Sequence, residues 1–276
     1  MSVTEPDPEP LPLDTSVAHP ARIYDYWLGG KDNFAADRAA GDHVTSLRPE
    51  IIPGVRANRR FLGRAIRYLA AKEGIRQFLD IGTGLPSANN THEVAQAAAP
   101  DSRIVYVDSD PIVLSHARAL LTSGTKGATA YLDEDLRNVG EIIHAAAGTL
   151  DLTEPVAVML IGILQCIPDE DDPAGVIKQL MDAVPSGSYL AISHPASDIH
   201  PGQAEAQRRY NERVSTPQTL RTLAEVSRFF DGLDLVPPYH GAPPALTYCG
   251  VWGAEDPVVA DSDGSRWLYC GVARIP

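Results

Sequence analysis

Apolar residues return along this chain in two alternating rhythms. At Phe61, Leu62, Ala65, Ile66 and Leu69 they keep the 3.6-residue period of a helix, with Asn58 expected to cap it and Gly74 to end it. Short apolar runs of strand length occupy 76–81, 104–107, 128–132, 155–161 and 188–193. Helical patterns separate them, at 91–99, from Asp110-Pro111 onward (Val113, Leu114, Ala117, Leu121), at 139–147, and after Asp172-Pro173 (Val176, Ile177, Leu180, Met181). Each Asp-Pro pair supplies a cap followed by a first-turn proline. Strands spaced by helices require crossover connections, so the pattern predicts a parallel sheet covered on both faces, with 155–161 at its centre. The last quarter differs: a helix over 217–230, a strand at 233–236, a Pro/Gly-rich loop and an alternating strand at 266–273. Strands without an intervening helix predict an antiparallel pair at one sheet edge.

Composition narrows the class further. With 276 residues, 44% hydrophobic and 21% charged, the chain is long enough to bury a core without staples. A net charge of -13 argues against general binding to a phosphate backbone. Cys166, Cys249 and Cys270 form no C-x-x-C pair, so no metal is expected and a reducing cytoplasm is the expected home. Residues 1–13, acidic and rich in proline, carry neither the basic nor the apolar part of a secretory signal and are expected to be a disordered leader. The longest apolar stretch is about half of the ~20 residues that span a bilayer.

In such a sheet the ligand sits at the carboxyl ends of the strands, where the strand order reverses. The first strand ends Asp80-Ile81-Gly82-Thr83-Gly84, and its two glycines let backbone pass close to a ligand. The second ends at Asp108-Ser109, 24 residues after Gly84, where a carboxylate can accept both hydroxyls of a ribose. The third leads into Asp135-Leu136, a carboxylate able to accept from an exocyclic amino group. Each has a plainer alternative: a tight turn, a helix cap, a solvated acidic turn. Gly162 comes after the fourth strand on the same rim, and Ser193-His194-Pro195 ends the fifth, making His194 the candidate general base.

Three acidic strand ends with glycines after the first resemble the class I S-adenosylmethionine-dependent methyltransferase fold. A closer resemblance lies in three segments taken in order: His19 to Phe34 (HPARIYDYWLGGKDNF), Gln77 to Pro86 (QFLDIGTGLP) and Asn90 to Gln96 (NTHEVAQ). They look like an actinobacterial family of such methyltransferases, first known as a domain of unknown function, and the similarity runs from about Asp14 to the C-terminus. It implies a Rossmann-like fold with a seven-stranded, mostly parallel sheet, an antiparallel C-terminal edge pair and helices on both faces. It implies S-adenosylmethionine as cofactor: the Gly-x-Gly loop takes the methionine part, the second carboxylate the ribose, and the third position adenine. After the fourth strand such relatives are expected to carry Leu-His, where this chain has Leu164-Gln165.

Residues 14–57 are expected to form a helical lid over the cofactor and 58–276 the methyltransferase domain. Within the lid, 20–28 reads as a helix ended by Gly29. Arg22 can fork onto a carboxylate, Tyr24 and Tyr26 can face a sulfonium, and Asn33 adds a donor. A structural helix packed on the sheet is the equal alternative. The expected reaction is methyl transfer to a small-molecule acceptor, with no membrane partner. The competing readings are a non-catalytic cofactor- or nucleoside-binding protein and, behind it, an NAD-dependent oxidoreductase, whose fingerprint needs Gly or Ala where Ser87 stands.

Overall fold

A computed structural model describes residues 14–86, 89–113, 115 and 126–276. The expected leader at 1–13 and most of the helix expected after Asp110-Pro111 lie outside the described residues. Five strands form the parallel part of the sheet: β1 (Gln77–Ile81), β2 (Arg103–Asp108), β3 (Ala128–Asp133), β4 (Ala157–Ile161) and β5 (Tyr189–Pro195). The short strands β6 (Asp234–Leu235) and β7 (Thr247–Tyr248) both pair antiparallel with β8 (Leu268–Arg274), and β8 pairs antiparallel with β5. The order is β3-β2-β1-β4-β5-β8-β6, with β7 off this path on β8. Among the described residues the sheet thus has eight strands; the two-residue β7 lies in what the sequence pattern presents as loop.

Side-chain alternation along the central strands makes two cores. Phe78, Ile104, Tyr106, Met159 and Ala191 point to one face, which is covered by α1 (Pro20–Leu28), α2 (Ala35–Leu47), α3 (Ile51–Ala71) and α4 (Thr91–Ala98). Leu79, Val105, Val107, Leu160 and Ile192 point to the other, beneath α5 (Val139–Ala146), α6 (Pro173–Asp182) and α8 (Leu223–Arg228). A strand buried on both faces reads as a continuous apolar run, which is why β4 was legible as the centre. α7 (Gln203–Asn211) packs beside α2.

Two expected boundaries move. Helix α3 begins at Ile51, not Asn58, so the division at residue 57 falls inside it, and Asn58 is a buried mid-helix residue. Pro53 is tolerated because the first-turn N–H groups have no helical partner. Gly54 is needed because a Cβ there would come within 2.6 Å of the Trp267 Cβ. The helix expected over 217–230 shrinks to α8, capped by Thr222 with Glu225 in a capping box. Residues just before it run extended, with Arg221 bridging Ala196 and the Thr219 N–H donating to the Gln165 carbonyl. Burial of Arg221 at 3% exposure overrides the local helical pattern.

Candidate functional site

The strand order reverses between β1 and β4, and the loops leaving the carboxyl ends of β1, β2, β3 and β4 wall a cleft of about 260 Å³. Asp80, Gly82, Thr83, Gly84, Asp108, Ser109, Asp135, Leu136 and Gly162 all line it. Helix α1 closes one side, presenting Tyr24 and Asp25, with His19, Pro20 and Ala21 at its start. α1 runs as the sequence predicts, with Pro20 in its first turn and Gly29 left-handed at φ 85° after its last.

The glycine loop is built for close approach. Gly82 (φ 74°) and Gly84 (φ 63°) are both left-handed, where a Cβ is strained. A Cβ on Gly82 would strike Ile163 at 2.5 Å, so that glycine serves packing between the β1 and β4 loops. A Cβ on Gly84 would meet nothing within 4 Å. The Gly84 N–H donates to Asp108 Oδ2 at 2.9 Å, and the Asp110 N–H donates to Asp108 Oδ1 at 2.9 Å. Each carboxylate oxygen keeps a lone pair for a further donor. Burial raises the Asp108 pKa, against the lowering pull of those two N–H groups.

Asp80 is buried at the end of β1 and accepts a short hydrogen bond from the Thr91 hydroxyl at the start of α4. Burial pushes its pKa up to about 6, although the Thr91 bond and the nearby Arg59 charge pull the other way. Asp135 is held differently. Arg137 forks onto it with Nε and Nη2 at 2.9 Å each and reaches Asp171 with Nη1, and these bonds hold the Asp135 carboxyl below its ordinary range. Buried Leu136 and the aliphatic Ile163 and Ile167 supply apolar wall beside it.

The other expected residues lie elsewhere. Arg22 does not line the cleft: its Nε donates to Asp37 Oδ1 at 3.1 Å and its Nη2 to the Val17 carbonyl at 2.5 Å, in a buried pair that ties the preceding chain to α2. Tyr26 donates to Asp42 at 2.7 Å, outside the cleft. Asn33 donates to Asp25 Oδ2 and to the Gly30 carbonyl, fastening the turn after α1. Of the four residues expected to act from the lid, only Tyr24 borders the cleft. Its hydroxyl donates to the Val55 carbonyl, accepts from Asn58 Nδ2, and is pushed up to about 12 by burial.

His194 is fully enclosed and does not serve as a base. Arg221 Nη1 lies 2.9 Å from its Nε2 and the Pro195 carbonyl 2.9 Å from its Nδ1. A guanidinium can only donate, so Nε2 accepts and Nδ1 carries the proton toward Pro195. Burial drives the pKa down to about 3. The reason is tertiary: β5 continues through Pro195 beside β8, and Arg221 and the Phe229 ring, its centroid 6.1 Å away, cover the imidazole.

Several cleft residues were not read from the sequence as site residues. Asn58 and Arg59 come from α3, whose start was misplaced; Gln218 comes from the stretch read as helical and Thr216 from just before it; Gln165 and Cys166 come after β4. Arg59 stands near Asp80, its Nη2 donating to the Asn89 carbonyl and to Asn90 Oδ1. Burial pushes the Cys166 thiol up to about 12, so it is a neutral wall group. Among the described residues no group of three or more His, Cys, Asp or Glu could hold a metal ion, and no helix is long and apolar enough to cross a membrane.

Comparison with known proteins places these features in context. The family model described as S-adenosyl methyltransferase matches residues 6–276. The crystal structure of a DUF574 family protein from Streptomyces avermitilis is similar at 44% identity, covering 95% of this chain and 99% of that one with a TM-score of 0.88. A protein from Thermobifida fusca, solved as a candidate methyltransferase, is similar at 37% identity, covering 95% and 96% with a TM-score of 0.85. No curated protein matches the sequence.

Proposed function

Because the chain belongs to the S-adenosyl methyltransferase family and is an S-adenosylmethionine-dependent methyltransferase, we propose that the cleft orients this cofactor for methyl transfer to a small-molecule acceptor. The observation that carries the reading is that the three carboxylates Asp80, Asp108 and Asp135, ending or just beyond three adjacent strands, line one cleft with Gly84 between the first two. When bound, the cofactor supplies a methyl group on a sulfonium, activated for displacement. Asp108 accepts from the ribose hydroxyls while Gly84 and Asp110 hold it in place. Asp135 accepts from the adenine amino group, with Leu136 against the ring and Ser109 on the same rim. Gly82, Thr83 and Gly84 pass along the methionine part; Asp80 takes its ammonium and Arg59 its carboxylate. Gly162 forms the floor beside Tyr24. Alignment and exclusion of water are the protein's means of catalysis here.

The test is calorimetry with S-adenosylmethionine, S-adenosylhomocysteine and NAD in parallel. Binding of the first two and not the third is expected; tight NAD binding alone would overturn the reading. Asp108→Ala is expected to weaken S-adenosylhomocysteine by about 10- to 150-fold, the worth of a charge-assisted hydrogen bond at about 1.5–3 kcal/mol. An unchanged dissociation constant in that variant removes Asp108 from the ribose.

Asp80 adds a pH dependence. In the free protein the folded state keeps the Asp80 proton up to about pH 6, above the ordinary aspartate value, so by itself this group lowers stability as pH rises through that window. An ammonium needs the carboxylate form, so binding must expel the proton below pH 6. Affinity should therefore fall about tenfold per pH unit below 6 and level off above it. A flat profile between pH 5 and 7, or one unchanged in Asp80→Asn, would show that Asp80 does not meet the cation.

A further inference from the structure

Beyond Tyr24 the cleft continues into a second, smaller chamber of about 80 Å³, sharing Pro20, Tyr24, Asn58, Gly162, Gln165 and Gln218 with it. Its far wall is aromatic. Trp27 and Tyr210 lie with ring centroids 6.5 Å apart and 30° between planes, and Trp267 closes the end. Among the described residues that line it, none is Asp, Glu, Lys, Arg, His or Cys. Arg48, behind Trp267 and Gln203, donates to Gln203 Oε1 and is matched by Glu50 at 3.6 Å.

Most polar groups on these walls are already engaged. Asn58 serves Tyr24, Gln207 serves Asn211 and the Gln218 carbonyl, and Gln218 reaches the Tyr210 hydroxyl. Gln165 differs. It is 7% exposed, its Nε2 donates to the Gly162 carbonyl at 2.5 Å, and its Oε1 is buried without a hydrogen-bond partner among the described residues. The Gly162 carbonyl needs a donor, so the amide cannot turn round, and the acceptor atom is the one left over. A buried acceptor without a donor is destabilising, a loss that a ligand donor would recover.

Resting on the cofactor reading above, we propose that this chamber is the acceptor site and that it takes a compact, neutral aromatic amine whose N–H donates to Gln165 Oε1. The walls dictate the chemistry. With no Asp, Glu, Lys, Arg, His or Cys among the residues that cleft and chamber share, and the Tyr24 phenol held neutral, the nucleophile should own a usable lone pair while uncharged. A weakly basic aromatic amine does at neutral pH; an alcohol or a protonated aliphatic amine does not. The nitrogen lone pair forms the new N–C bond, the S–C bond breaks with its electron pair left on sulfur, and S-adenosylhomocysteine departs as a neutral thioether. The nitrogen becomes cationic, Gln165 Oε1 holds its N–H, and that proton then leaves to water through the cleft mouth. Size sets a further limit: roughly 150 Å³ accommodates benzene in a closed cavity, so a chamber of 80 Å³ that opens into the cleft admits part of a single ring and not a fused system.

The probes are aniline, benzylamine (a cation at pH 7) and benzoate, titrated into protein saturated with S-adenosylhomocysteine, with N-methylaniline sought by mass spectrometry when S-adenosylmethionine is supplied. Aniline is expected to bind at least about tenfold more tightly than either charged probe and to be methylated. Gln165→Leu should weaken aniline about tenfold, and Gln165→Glu should turn the preference toward benzylammonium; S-adenosylhomocysteine binding, measured in each variant, reports an intact cleft. Equal or better binding of a charged probe, no aniline binding to the cofactor complex, or full aniline affinity in Gln165→Leu overturns the acceptor assignment and leaves the cofactor reading standing. Failure of S-adenosylhomocysteine to bind at all overturns both.

Discussion

Gly84→Val is expected to yield a folded protein with no measurable affinity for S-adenosylhomocysteine. Gly84 holds φ at 63°, and a Cβ built there meets nothing within 4 Å beyond its chain neighbours, so it projects into open space by the cleft. The left-handed backbone strains any L side chain by about 1–2 kcal/mol, a loss the fold survives but a thermal melt detects. Bulk, not strain, should remove binding: the valine methyls take the volume assigned to the methionine part, and relief would require moving the N–H that Asp108 accepts. Gly84→Ala separates the two effects, since it carries the same backbone strain with a single methyl and should retain weak binding. A Gly84→Val protein with native circular dichroism and wild-type affinity would reduce the loop to a structural turn.

Arg22→Ala should lower stability by about 3–5 kcal/mol in urea denaturation, because it leaves a buried carboxylate without its counter-charge. Asp37 is fully buried; besides Arg22 its donors among the described residues are the backbone N–H groups of His19 and Phe34, and the Val17 carbonyl loses the Arg22 donor as well. Binding of S-adenosylhomocysteine to the folded fraction should change little, since Arg22 does not line the cleft. The opposite pattern, weakened binding at unchanged stability, would return Arg22 to the cofactor carboxylate.

These two positions also mark how far the sequence could be read. Gly84, Asp108 and Asp80 were legible because they are tied to strand ends: short continuous apolar runs locate the strands, a parallel sheet sets all carboxyl ends on one rim, and the residues leaving each strand must face that rim. Arg22 was not legible. An arginine on an amphipathic helix can turn to the cleft or to a neighbouring helix, and only the packing of α1 on α2 puts Asp37 within its reach. His194 was misjudged for a related reason, since its position at the end of β5 was readable but the packing of Arg221 and Phe229 on its ring was not.

The sequence by itself determined the βαβ order, the parallel sheet, the first helix with its glycine stop and the rim of acidic and glycine residues, because local period, capping and turn chemistry act over a few residues. Tertiary structure alone decided the start of α3 at Ile51, the extended path through Arg221, the roofing of His194 and the chamber beyond Tyr24. Each of those depends on partners far along the chain: Trp267 against Gly54, Asp169 and His194 around Arg221, Gln165, Gln218 and Trp267 around the chamber. Burial of such groups is worth more than local propensity, and no window of sequence contains both partners.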